Sequence, residues 1–177
     1  MTDILVRMIR AETVEYAYCA DMAALHVEIA ENEGRLVFHF TGFHHRMRSF
    51  ALKVGQTLKS IILDFEYSLD NFENVVETLR RRYTNSHKDP SNAAHFWRLT
   101  LLQTDPVHSF DLDRTKEGVS ILDNEISPDT FNLFLSQIFS ASSGGGGVVV
   151  RGLIHGNATK IESIELATSF LHDSGLL

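Results

Sequence analysis

The sequence predicts an α+β domain, with helices packed on a small antiparallel or mixed sheet. Three observations carry this. From Leu25 to Phe40 apolar and polar residues alternate on both sides of an Asn32-Glu33-Gly34 turn, the signature of an antiparallel hairpin. Elsewhere the apolar residues recur mostly at helical spacing, so helices outnumber strands. Late in the chain a β-branched run, Val148 to Ile154, follows four glycines and precedes a helical pattern. A doubly wound parallel sheet does not fit a chain whose clearest strands form a hairpin.

Each element follows from its own residues. Residues 3–23 carry Ile4, Leu5, Met8, Ile9, Val14, Ala17, Tyr18 and Met22; this spacing predicts one long amphipathic helix, or two with a break near Thr13. In the hairpin, Leu25, Val27 and Ile29 share a face with Leu36, Phe38 and Phe40, and that face should sit on the helix layer. Gly42 lets the chain leave the sheet. Met47, Phe50, Val54, Leu58, Ile61 and Ile62 predict a helix over 46–63, and Phe72, Val75, Val76 and Leu79 another over about 70–83. Asn85 to Pro90 reads as a loop. A helix from Ser91 to about Gln103 carries Phe96, Trp97 and Leu101, and residues 104–111 form a connector. A short helix is expected over about 113–121. The next, Pro128 to Phe139, has a defined start: Ser127 as cap, Pro128 at the first helical position and Asp129 beside it. Val148 to Ile154 then reads as a buried central strand, His155-Gly156-Asn157 as a turn, and Asn157 as the cap of a final helix over 160–171.

The bulk properties narrow the function. With 177 residues, 44% hydrophobic and 22% charged, the chain fits one globular domain or a domain fragment. Sixteen basic against 23 acidic residues give a net charge of −7, which argues against nucleic acid as a partner. The run Arg80-Arg81-Arg82 falls late in a predicted helix and reads as a solvated helix end favoured by the dipole. Cys19 is the sole cysteine, so no internal disulfide forms; mid-helix, it reads as a packing residue and not a nucleophile. No apolar run is long enough for a membrane span, and charges at Asp3, Arg7, Arg10 and Glu12 break any signal-peptide pattern. A cytoplasmic location is expected. The sequon Asn157-Ala158-Thr159 is then idle.

Nine histidines raise the question of a metal. His39, His44 and His45 lie close in sequence, and His26 could meet one of them across the hairpin. Zinc needs three or four converging ligands with recognisable spacing. Neither H-E-x-x-H nor H-x-x-E-H occurs, and Arg46 and Arg48 follow His44-His45, where they would repel a dication. Surface histidines are the expectation, with any role of His39, His44 and His45 left open. There is no G-x-S-x-G and no P-loop. Gly144 to Gly147 lacks a phosphate loop's lysine and precedes a strand pattern instead of following one. Carboxylates are scattered, so no acid–base pair stands out. The expected catalytic, cofactor-binding and metal-binding sets are all empty.

Three segments together resemble a known family. Val14 to Leu25 (VEYAYCADMAAL), Ala93 to Gln103 (AAHFWRLTLLQ) and Val150 to Lys160 (VRGLIHGNATK) are similar to the third domain of insulysin- and nardilysin-type peptidases. These are large members of the pitrilysin family of inverted-motif zinc metallopeptidases. The order of elements agrees from about Val14 to Leu171, and His155 looks like a turn residue of the shared fold. The resemblance implies a peptide-degrading parent enzyme of four similar α+β domains in two halves closing around a chamber. Its zinc and general base would sit in the first domain, on the inverted motif that this chain lacks, so no cofactor is implied in this chain. The third domain would be non-catalytic, wall the chamber and make inter-domain or dimer contacts. The implied partners are therefore the other domains of the same peptidase, a possible second copy, and peptide only through the complete chamber. The expected opening strands before the first helix are missing, which implies truncation at the N-terminus, with exposed apolar surface and self-association. A free-standing protein-interaction module of the same fold without peptidase activity is the competing reading. An independent metal-dependent hydrolase is a third.

Overall fold

In a computed structural model of the chain, the described residues are 1–32, 35–85, 112–139 and 148–176, with Pro90, Ser91, Ala94, Trp97, Arg98 and Leu101 between them. Among these residues the order is α1 (Thr2–Asp21), β1 (His26–Asn32), β2 (Arg35–Thr41), α2 (His44–Ile62), α3 (Leu69–Asn85), α4 (Leu112–Asn124), α5 (Pro128–Phe139) and α6 (Lys160–Asp173). The architecture is α+β, as the periodicities predict. Ser91, Ala94, Trp97, Arg98 and Leu101 are helical, and so are Asn85 and Pro90, the ends of the stretch read as a loop; residues 86–89, the rest of the predicted 91–103 helix, the 104–111 connector, the Glu33-Gly34 tip and the 140–147 stretch lie outside the described residues.

α1 is one unbroken helix. At the suspected break, Thr13 is buried and its hydroxyl donates to the Ile9 carbonyl at 2.7 Å, which satisfies the hydroxyl without leaving the helix. β1 and β2 pair antiparallel, with Val27 opposite Phe40, Ile29 opposite Phe38 and Glu28 opposite His39. Opposed residues share a face, so Val27, Ile29, Phe38 and Phe40 lie together against the helices while His26, Glu28, His39 and Thr41 form the other side. At the exit of β2, Gly42 has φ +144°, and a Cβ there would lie 2.5 Å from the Ala24 carbonyl oxygen. Only glycine fits that backbone and that space.

The core is built by the first half of α1 (Ile4, Leu5, Met8, Ile9), α2 (Phe50, Val54, Leu58, Ile61, Ile62) and α3 (Phe72, Val75, Leu79). Phe131 and Leu135 of α5, both fully buried, close it. Tyr67, Phe72 and Phe131 form a cluster with ring centroids 5.5–5.9 Å apart. The start of α3 is held by α1: the Glu12 carboxylate accepts from the Ser68 N–H and the Asn71 side-chain amide, both at 3.0 Å. A carboxylate beside free helix-start N–H groups is stabilising on both hydrogen-bond and dipole grounds. α5 begins as predicted, with the Thr130 N–H donating to Ser127 Oγ at 3.2 Å. α6 packs on α2, and Phe170 meets Phe38 and Phe40 edge-on with centroids 5.9 and 5.8 Å away.

Three expectations are corrected. Val148 to Ile154 is not a strand and not buried: it pairs with nothing among the described residues, Val149 is 80% exposed and Leu153 is 92% exposed. A strand needs a neighbour's ladder, which local sequence does not supply. Asn157 is not the cap of α6. Thr159 is, and its hydroxyl accepts from the Glu162 N–H at 3.3 Å while the Glu162 carboxylate accepts from the Thr159 N–H at 2.8 Å. This reciprocal pair satisfies two helix-start donors, which Asn157 could not do. Cys19 is exposed on α1 and packs in no core.

Candidate functional site

α1 changes environment along its length. Its first half faces the core, whereas Val14, Tyr18 and Met22, spaced by four, form a second stripe that is 60–77% exposed. The core stripe continues instead through Tyr16 and Ala20. Sequence reading merged the two stripes into one apolar face. Their four-residue spacing, offset from Ile4, Met8 and Ile9 around the helix, was the signal that separates them.

The exposed stripe borders a groove of about 520 Å³ lined by Arg10, Thr13, Val14, Ala17, Tyr18 and Asp21 of α1 and by residues 26–29 of β1. β1 pairs only with β2 among the described residues, so its other edge carries no strand. Arg10 crosses to this edge and donates to the Ile29 carbonyl from Nε at 2.7 Å and from Nη2 as well. At the other end His26 Nδ1 contacts the Asp21 carboxylate. The groove therefore has a backbone-polar side, an apolar wall at Val14, Ala17 and Tyr18, and charges at its ends. A smaller depression of about 250 Å³ lies between α1 and α3, lined by Arg7, Arg10, Asn71 and Thr78 among others.

Three tyrosines belong to the fold and not to the groove lining. Tyr16 Oη and Thr57 Oγ1 are 3.1 Å apart, tying α1 to α2, and burial raises the Tyr16 phenol above its ordinary range. Burial also raises Tyr67, with the Asp129 charge adding to it, and the Tyr67 hydroxyl donates to Asn132 at 2.8 Å. Tyr83 is raised chiefly by burial. These phenols hold the fold; none lines the groove.

The histidines do not converge. His26 stands opposite Thr41 and His39 opposite Glu28. His45 and His155 are exposed, and His172 Nδ1 lies 3.5 Å from the Asp173 carboxylate. The side chain of His44 and residues His87, His95 and His108 lie outside the described set. Among the described residues no three His, Cys, Asp or Glu side chains come together as a metal site, and no helix is long and apolar enough to cross a membrane. The arginine run has partners: Arg80 meets Asp123 at 2.7 Å and Arg81 meets Glu77 at 2.6 Å. Arg81, through its hydrogen bond first, and Arg80 pull the Glu77 carboxyl below its usual range.

Comparison with known proteins gives the family of the chain. Residues 1–113 match the family described as the middle or third domain of peptidase M16. The chain is 25% identical over 170 residues to a nardilysin-like protein of Arabidopsis thaliana, covering 96% of this chain and 15% of that protein. It is 27% identical over 164 residues to nardilysin of Rattus norvegicus, covering 92% of this chain and 13% of that one. An insulin-degrading enzyme-like 1, peroxisomal, of Arabidopsis thaliana is 27% identical over 104 residues, covering 58% and 10%. The chain thus spans a small part of the length of these relatives. It belongs to the peptidase M16 family, as a middle or third domain of that family's proteins.

Proposed function

We propose that this domain serves a zinc metalloendopeptidase as a non-catalytic structural part, third of four α+β domains, walling a peptide chamber and contacting the other domains. The match of residues 1–113 to the family's middle domain carries the reading. Two features support the division of labour. The inverted motif H-x-x-E-H occurs nowhere in the sequence, so the zinc and general base are assigned to another domain. The exposed apolar residues of α1 and of the segment before α6 provide surfaces for neighbours, since contiguous apolar exposure marks interaction sites. The partners are the other domains of the same polypeptide, with a homodimer as a further contact. Peptide reaches this domain only inside the assembled chamber. The setting is cytoplasmic.

The test is the reading frame that encodes the chain. An H-x-x-E-H motif upstream in the same frame is the expected result. A complete gene encoding these residues alone would overturn the reading in favour of a free-standing interaction module.

A further inference from the structure

We infer that the Val148–Ile154 segment is a donor strand, and that in the isolated chain it adds to the open edge of β1 in a second copy. The donor side rests on hydrogen-bond accounting. Among the described residues, none from 148 to 155 makes a backbone hydrogen bond, although the run VVVRGLI is rich in β-branched residues. Backbone groups of such a stretch are satisfied by a ladder or by water, and only the ladder also covers the apolar side chains. Exposure alternates along it: Val148, Val150 and Ile154 are 40–47% exposed, whereas Val149 and Leu153 are 80% and 92% exposed. The segment is already two-faced.

The acceptor side is the groove described above. It runs beside the edge of β1 that pairs with no strand among the described residues, has an apolar wall at Val14, Ala17 and Tyr18, and has its Ile29 carbonyl held by Arg10, which must release it to the incoming strand. Open edges with such a wall take extended segments by strand addition, the backbone giving affinity and the side chains giving register.

Charge selects this edge over the other. Arg151 is the only charged residue of the donor, and Glu28 lies at the middle of the groove-lining residues of β1. Neither has an ion-pair partner among the described residues. With Arg151 opposite Glu28 in an antiparallel pairing, Val150 falls opposite Ile29 and Gly152 opposite Val27. Val148 and Ile154 then share that core-facing side, because side chains alternate with period two. The same face of β2 that matches Glu28 carries Arg35, which would repel Arg151. A one-residue slip would turn Val148, Val150 and Ile154 outward and set Arg151 on the core-facing side, so the register is fixed by both charge and packing. The donor of one copy and the groove of the next are different surfaces, so the contact closes as a reciprocal dimer or extends as a chain.

Light scattering of the 177-residue chain over a concentration series tests this, with far-ultraviolet circular dichroism confirming that each variant keeps its helices. The expected mass rises with concentration above the 19.9 kDa of one copy. Val150→Pro, which removes a ladder donor, weakens association by at least about tenfold. Glu28→Lys and Arg151→Glu each weaken it by about fivefold, and the double variant restores it. The charge pair decides alone should the proline alter the fold. A chain that stays at 19.9 kDa throughout overturns the proposal. So does association unchanged in Val150→Pro, or a double variant no tighter than either single one. Protection of amides 148–154 from hydrogen exchange in a strictly monomeric chain would give the segment to another occupant, and overturns it too.

Discussion

Gly42 is the residue on which the junction of helix and ribbon depends most sharply, and Gly42→Ala measures it. The chain leaves β2 there with φ +144°, and a Cβ would stand 2.5 Å from the Ala24 carbonyl oxygen, 2.7 Å from Leu25 Cδ2 and 3.0 Å from Leu25 Cα. Two of these three are backbone atoms, so no rotamer change relieves the overlap. The backbone conformation alone costs an L-residue about 1–3 kcal/mol, and overpacking a fitted contact costs a similar amount. Partial relaxation brings the sum to about 3 kcal/mol, a large share of the roughly 5–15 kcal/mol that holds a domain together. For a chain of this size that corresponds to a fall in Tm of roughly 6–12 °C. Gly118→Ala is the control: it lies within α4 with nothing within 4 Å of a new Cβ, so it should stabilise by up to about 1 kcal/mol through helix propensity. Urea unfolding of both variants is the assay. A Gly42→Ala protein within about 0.5 kcal/mol of the parent would refute the close approach of Ala24 and Gly42.

Thr159→Ala removes the reciprocal cap of α6 and should cost about 1 kcal/mol; hydrogen exchange should speed in its first turn and leave α5 unchanged. Phe131→Ala empties the centre of the Tyr67–Phe72 cluster and should cost about 3–5 kcal/mol, read by chemical denaturation. Tyr16, Tyr67 and Tyr83 all have phenols raised in the folded chain above the ordinary 10.0. The folded state therefore holds these protons more tightly than the unfolded one. Their contribution is full below pH 10 and is lost as pH rises through the folded values. Thermal melts from pH 8 to 11 should show the fall, and Tyr16→Phe should make it shallower.

Where a residue's partner is a sequence neighbour, the structure was legible. Ser127-Pro128-Asp129 starts α5 as predicted, and the alternation on either side of the hairpin tip fixes which residues of β1 and β2 face the helices. Val148 to Ile154 was misread because propensity describes the strand and says nothing about who pairs with it. The cap of α6 was legible but overlooked: Thr159 and Glu162 stand in the T-x-x-E spacing of a capping box, whereas Asn157 has no such partner. Cys19 follows the half of α1 that leaves the core, a change of environment that depends on where β1 lies. The groove between α1 and β1 is assembled from residues of two elements, so only the fold brings it into view. The family, in contrast, was legible from three short segments, because a shared fold constrains turns and helix faces along its whole length.

The central claim is that this chain is a part of a peptidase that does not carry the chemistry. The direct measurement is zinc content and peptide hydrolysis, made in parallel on the purified 177-residue chain and on the complete polypeptide that contains it. The account predicts bound zinc and turnover in the complete polypeptide and neither in the chain alone. Stoichiometric zinc with turnover in the isolated chain would contradict it.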